Sequence, residues 1–461
     1  MRRRHPRLAG IPGSIPWGSL VAVAVWFDEL ADFLRIPSVS ADPARREDVA
    51  RAGQWVCELL RDAGGECELV DWEGQPLVVG ELRSSSDPEH APTVLCYGHF
   101  DVQPPDPLEL WESPPFEPEI RGDYLYGRGV ADDKGQLYLL LSGARELAQA
   151  GELPVNVRFV CDGEEETGGH SVVDFLERDE RGADVAVIFD SGMVGPGLPA
   201  FNVATRGMAY FHVILRTGDR DLHSGIYGGA ALNAGHALIR TLNAAIAVDG
   251  RLVDPLRTGI MAPTEEELES WRQLPAGADE LADQGARPMD ARAADEFYLR
   301  TFAEPALDVN GILSGSPHLV KTVLPVLAVA NVSIRLAPGQ DVEEIAAAFK
   351  RVLSEAAPPG AELTVELLSS ARPGVVAPDA SAVQLGLDAF ERALGVRPAL
   401  IRSGGTLPIV PALADKGIPA IITGFSLPDA NIHSPNERLL VENVSLGIAA
   451  ARALFQGFAA L

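Results

Sequence analysis

The chain is 461 residues long, 46% hydrophobic, with a formal net charge of −27. That length calls for two or more domains, and that hydrophobic share can build their cores. The acid excess excludes a nucleic-acid binder, which needs a basic footprint for phosphates, and no run of about 18 apolar residues offers a membrane span.

The first residues, MRRRHPRLAGIPGSIPWGS, are basic and then turn apolar over 20–27. No small-residue cleavage site follows, so 1–24 reads as a flexible extension rather than a secretory signal. From Val25 the pattern is helical through WFDELADFLRIPSVS, ended by Pro37. Asp42-Pro43 opens a second helix, closed by Gly64-Gly65. Short apolar runs follow, each bounded by turn residues: PLVVGEL, TVLCYG, NVRFVCD, VAVIFD and, much later, PAIITGF. Helical stretches such as GQLYLLLSGARELAQAG lie between some of them. This alternation predicts an α/β domain with a largely parallel core sheet.

The character changes at Thr205-Arg206-Gly207. MAYFHVILRTG and LAVANVSIRLAPG are alternating strands, AALNAGHALIRTLNAAI and VEEIAAAFKRVLSEA are helices, and AELTVELLSS is a further strand. That order suits a small α+β domain with helices on one face of its sheet. A charged helical insertion, about 263–300, interrupts it. After Ala371-Arg372-Pro373-Gly374 the first pattern resumes, with a helix at 380–394. One domain is therefore read as inserted into another: 25–205 and 373–461 around 206–372.

The four cysteines, Cys57, Cys67, Cys96 and Cys161, contain no CxxC pair. That removes a zinc ribbon or thioredoxin-like motif and fits a reducing cytoplasm. Cys96 and Cys161 lie in strand-like apolar runs and are expected as buried thiols.

In an open parallel sheet, ligands bind at the carboxyl ends of the strands. TVLCYG ends in His99 and Asp101, NVRFVCDG in Glu164-Glu165-Glu166, and VAVIF in Asp190. LYGRGVADDKG carries Asp132 and Asp133 on a Gly-rich turn ahead of a helix, and a downstream loop carries His433. Imidazoles and carboxylates without cysteine suit zinc or manganese in a hydrolytic site. Two such ions need one bridging carboxylate and further ligands each. Asp101 can accept the second N–H of His99 and fix its tautomer. Adjacent Glu165 and Glu166 point different ways, so one can bind metal while the other moves protons. Singly, each piece has a plainer reading: a histidine after a strand, a solvated acidic run, an acid at a helix start. Their joint placement is what argues for a site.

YGHFDVQP, LYGRGVADDKGQ, DGEEETGG, VIFDS, DLHSGIYGG and NIHSPNE, in this order, resemble the signature blocks of the di-zinc exopeptidase and aminoacylase superfamily. The branch most similar is that of carnosinase-like, non-specific dipeptidases. The resemblance covers the chain from about Phe27 to its end. It implies a phosphorylase/hydrolase-like zinc-exopeptidase catalytic domain and a ferredoxin-like lid and dimerisation domain at 206–372. It implies that Asp132 bridges two metals, that His99 and Asp190 complete one ion, and that Glu166 and His433 complete the other. Glu165 is the implied general base, Asp101 orients His99, and the Asp132–Asp133 peptide is cis. His223 and Thr322 are implied to reach across a homodimer into the neighbour's site, His223 as oxyanion donor. Arg335 is implied to hold the substrate's C-terminal carboxylate. Without the resemblance, His223 reads as a turn residue and Arg335 as a strand residue paired with an acid. Thr406 stands where relatives have a small hydroxyl residue, more often Ser, beside the substrate, and is an implied substrate-binding residue with Arg335, Thr322 and His223. The implied protein is a cytoplasmic metallopeptidase of peptide catabolism that cleaves dipeptides with zinc, or with manganese. An N-acyl-amino-acid deacylase is the alternative. A non-catalytic relative fits less well, because every ligand candidate and Glu165 are present.

Overall fold

The computed structural model describes residues 20–461, except Glu73 and Pro317, with side chains from Trp26 onward. The helix Leu20–Leu34 begins within the stretch read as an extension, and the rest of that stretch lies outside the described residues. The chain folds as two compact units. The first runs to Phe201 and takes up Ala377–Ala399 and Lys416–Leu461; the second holds Asn202–Val376 and Leu400–Asp415.

The first unit is built on a mixed sheet. Its strands run in the order Glu66–Val70, Leu77–Leu82, Asn156–Asp162, Thr93–His99, Val185–Phe189 and Ala420–Thr423. The last four are mutually parallel, and the first two add an antiparallel edge. Asn156–Asp162 and Val185–Phe189 are buried at every residue. Such strands, covered on both faces, read as unbroken apolar runs rather than alternating ones. Parallel direction puts His99, Asp162, Phe189 and Thr423 at one edge of the sheet. The helix Lys134–Ala150 starts at that edge, and buried Lys134 donates from Nζ to the carbonyls of Phe33 (3.1 Å) and Ile36 (2.6 Å). A lysine on the last carbonyls of a helix is a favourable cap, and here it ties the end of the first helix to the functional edge.

The second unit contains a four-stranded antiparallel sheet in the order Ala306–Ser314, Leu327–Leu336, Gly207–Arg216, Glu362–Ala371. The helices Ala234–Asn243 and Val342–Ala356 follow the first and third of these strands along the chain. This is the ferredoxin-like βαββαβ order. Phe211, Val213, Leu215, Val332 and Ile334 pack against Leu238, Ile345 and Phe349 in its core. The sequence reading missed the strand Ala306–Ser314. Its residues are mostly exposed, and its register shifts between Val309 and Gly311. An edge strand with a bulge lacks the alternation that marks a half-buried one. The charged insertion is helical as expected, with helices Glu265–Trp271 and Gly277–Asp283.

Cys96 and Cys161 are buried free thiols. Cys57 and Cys67 form a disulfide, with Cα atoms 5.2 Å apart; the sequence reading contained no such bond. No helix among the described residues is long and apolar enough to cross a membrane.

Candidate active site

His99 closes its strand and is fully buried. Its backbone N–H donates to Asp133 Oδ2 at 3.0 Å. A Cβ on the preceding Gly98 would lie 2.7 Å from that same oxygen, so glycine is what lets the two segments meet. His99 Nδ1 lies 3.1 Å from the Asp101 carbonyl and 3.3 Å from Asp101 Oδ1. Either acceptor holds the proton on Nδ1, so Nε2 is the nitrogen that faces Asp132 Oδ1, 3.0 Å away. The Asp101 carboxylate, also fully buried, accepts from Ser40 Oγ (2.6 Å) and from the N–H groups of Glu165 (3.3 Å) and Glu166 (3.1 Å). One aspartate thus connects the end of the His99 strand with the glutamate turn of the next strand.

Asp132 projects from the loop before the helix Lys134–Ala150, and its peptide bond to Asp133 is cis. While Oδ1 meets His99, Oδ2 lies 2.9 Å from His433 Nε2. That nitrogen is also 3.1 Å from Glu166 Oε2. Glu166 is steadied by Gln103, whose N–H donates to Oε1 (3.2 Å) and whose Nε2 donates to Oε2 (2.9 Å). His433 sits at φ 60°, flanked by Asn431 and Asn436 at φ 55° and 62°. Asparagine tolerates the left-handed region and histidine adopts it less readily. Donor atoms of His99, Asp132 and Glu166 lie within 4.8 Å of one another. Asp190 follows the strand Val185–Phe189 at the same edge but is not part of that close group.

The remaining expected residues lie in the second unit. His223 is exposed on a two-stranded ribbon, opposite Val323. Its Nδ1 accepts from the Gly225 N–H at 3.0 Å, which leaves Nε2 as the protonated nitrogen of the neutral ring. The Thr322 carbonyl accepts from both N–H (3.1 Å) and Oγ (2.7 Å) of Ser224, so His223 and Thr322 share this ribbon. Arg335 Nη1 donates to Thr406 Oγ1 at 3.2 Å.

The signature of peptidase family M20/M25/M40 matches residues 95–457. The chain belongs to this family. It is 27% identical to the Cys-Gly metallodipeptidase DUG1 of Saccharomyces cerevisiae, over 94% of this chain and 95% of that one. It is 28% identical to the human Beta-Ala-His dipeptidase, over 87% and 83% respectively. Among solved structures, the M20 family metallo-carboxypeptidase Sso-CP2 of Sulfolobus solfataricus superposes with a TM-score of 0.81 at 25% identity, covering 95% of this chain and 99% of that one. The protein is a metal-dependent peptidase.

The electrostatics of this M20 centre fit that chemistry. Burial, only partly offset by His99, pushes Asp190 up to about 7 and Glu165 up to about 8. Burial also raises Asp133 well above the carboxylate range. Burial opposes charge on His99, but Asp101 and Asp132 raise it well above the usual histidine value. Asp132, then Glu166, push His433 up to about 10. The edge therefore holds more buried carboxylate than its own cations neutralise, with nitrogen and oxygen donors converging. A divalent cation suits such a donor set.

Sequence reasoning overlooked Ser40, Gln103 and, above all, Glu437, and it named Asp133 without giving it a role. The fully buried Glu437 accepts from Arg128 Nη1 (2.7 Å) and Gly129 N (3.0 Å) on Oε2, and from Ala131 N (2.8 Å) and Asp132 N (3.2 Å) on Oε1. Its place four residues after His433 in NIHSPNE was the available signal.

Proposed function

We propose that this M20 peptidase cleaves the amide bond of dipeptides, or of short peptides with a free C-terminal carboxylate, at a pair of divalent ions. The observation that carries the reading is Asp132, with His99 on one carboxylate oxygen and His433 on the other. A carboxylate so flanked suits a bridge between two ions. In this reading His99 and Asp190 complete one ion, and Glu166 and His433 the other. Zinc is the first choice and manganese the alternative. Ions held by these residues would supply Lewis-acid chemistry, lowering the pKa of a water and polarising the scissile carbonyl. Glu165 accepts the water's proton and returns it to the leaving amine. Asp101 keeps His99 in the tautomer that presents Nε2.

The inserted domain, about 206–372, acts as lid and dimerisation domain. His223 and Thr322 of one subunit serve the other's site, and His223 donates Nε2–H to the oxyanion, a type of contact worth about 3–4 kcal/mol. Supporting this are the Gly225 bond that sets the tautomer and the exposure of Ile226, Tyr227, Leu319 and Val320 around the ribbon. Arg335 holds the terminal carboxylate two-pronged, and a peptide extended beyond the single residue after the scissile bond would leave it unpaired. Thr406 positions Arg335. The relatives named as Cys-Gly and Beta-Ala-His dipeptidases support dipeptides over N-acyl amino acids. Cytoplasmic residence belongs to the same reading, but the Cys57–Cys67 disulfide runs against a reducing compartment; a thiol count on freshly isolated protein tests it, with four free thiols supporting the cytoplasm and two an oxidising compartment.

The deciding experiment is hydrolysis by metal-reconstituted protein, with and without chelator, of dipeptides, tripeptides and N-acyl amino acids. Chelator-sensitive cleavage of dipeptides with tripeptides spared is expected. Preference for N-acyl amino acids would move the protein to the deacylase branch.

A further inference from the structure

Two arginines on one face of the second unit's sheet form no hydrogen bond or ion pair with a carboxylate among the described residues. Arg335 lies opposite Met208 in the register of the sheet. Its neighbours Ile334 and Leu336 point into the helix-covered core and are fully buried, so Arg335 is on the other face. Arg206 precedes Met208 by two residues, and period-two alternation sends it to that same face. Thr406 links the pair: its Oγ1 accepts from Arg335 Nη1 (3.2 Å) and donates to the Arg206 carbonyl (2.8 Å). Arg206 Nε donates to the Gly404 carbonyl at 3.4 Å. A Cβ on Gly404 would lie 3.4 Å from Arg206 Nη2, ordinary van der Waals contact, so this stretch of backbone runs beside the guanidinium. All these partners are neutral.

Other shielded arginines of this unit are paired. Arg402 meets Glu267 at 2.6 Å, Arg300 meets Asp290 at 2.7 Å, and Arg257 meets Glu304. Among the described residues, neither Arg206 nor Arg335 forms a hydrogen bond or ion pair with a carboxylate. Burial and then the charge of Arg335 push Arg206 down to about 10, against the weaker pull of Asp308. Two like charges side by side and half out of water are unfavourable until an anion joins them.

We propose that Arg206 and Arg335 form one two-guanidinium seat for the substrate's terminal carboxylate, with Arg206 as its second anchor. A carboxylate has about four in-plane lone-pair positions, enough for both forks. A C-terminal amide would leave two shielded cations without a counter-charge. The inference rests on the reading of Arg335 as the carboxylate anchor and adds a residue to it.

The test is steady-state kinetics of wild type, R206Q and R206K on Ala-Ala, its C-terminal amide and Ala-Glu, with metal content and melting temperature as controls. For R206Q, KM on Ala-Ala rises about tenfold or more with kcat changed much less, and any cleavage of the amide is unaltered. R206K, which keeps the charge and loses the fork, shows a smaller KM rise and carries the test should R206Q not fold. An unchanged KM on Ala-Ala overturns the seat. A penalty confined to Ala-Glu also overturns it, since Arg206 would then read a side chain. N-acyl amino acids carry the same carboxylate. If the protein proves to be a deacylase, the dipeptide reading fails by itself, and the seat stands or falls on the R206Q KM for N-acetylalanine.

Discussion

Glu437 grips the backbone from which Asp132 projects, and the same loop brings His433 to the Asp132 side chain. Glu437→Ala would strand Arg128 and three N–H groups out of water. The expected loss is about 3–5 kcal/mol, read by urea unfolding. Glu437→Gln keeps the shape and one oxygen but turns an NH₂ toward two donors. It should unfold more easily than wild type by a smaller margin, and it should bind metal more weakly. Unchanged metal affinity in a folded Gln variant would make Glu437 a purely structural acid. Glu165→Gln tests the neighbouring role. Turnover should fall roughly 10²–10⁴-fold with metal content near wild type; loss of metal would make Glu165 a ligand instead. His99, Asp132, Glu166 and His433 were legible in the sequence because each ends a strand or sits in a motif. Glu437 and Ser40 were not, because their partners lie hundreds or dozens of residues away.

Parallel strands gather the acids of the edge, and that crowding has a pH signature. Without metal, Asp190 at about 7 and Glu165 at about 8 hold protons that the unfolded chain would have released. Their stabilising contribution is complete below the ordinary carboxylate values of 3.8 and 4.5, falls as pH rises above them, and is gone once pH has passed 7 and 8. His433, at about 10, begins to lose its contribution at the ordinary histidine value of 6.5 and has lost it above about 10. Asp132 is lowered, so its contribution is lost only in acid, below the ordinary carboxylate range. The metal-free protein should therefore lose stability progressively as pH rises from about 4 to about 8, and further toward about 10 as His433 gives up its proton. Cations take the place of those protons, so the rise in Tm on adding zinc should grow over the same range. A shift that shrinks with pH would contradict this account. The strands of this edge were readable as apolar runs, whereas the exposed strand Ala306–Ser314 was not.

At the scale of the molecule, the proposed exchange of His223 between subunits predicts complementation. E165Q and H223A should each be nearly inactive alone. After subunit exchange, half the dimers are mixed and each holds one intact site, so about a quarter of wild-type activity should return. Mixtures that stay inactive although exchange is demonstrated would place His223 in its own subunit's site or outside the mechanism.

The order of apolar runs, the breaks at Thr205-Arg206-Gly207 and Ala371-Arg372-Pro373-Gly374, and the run of motifs from His99 to His433 were enough to predict an α/β unit, an α+β insertion and a metal site. Periodicity and turn chemistry are local properties, and a sequence displays them directly. Which atoms meet was decided by the tertiary structure. Packing brings Glu437 to the backbone of Asp132, sets His99 and His433 on opposite oxygens of one carboxylate, pairs Cys57 with Cys67, and leaves Arg206 and Arg335 without a bonded carboxylate among the described residues. Those contacts join segments far apart in the chain, and no local pattern records which distant group will satisfy a buried charge.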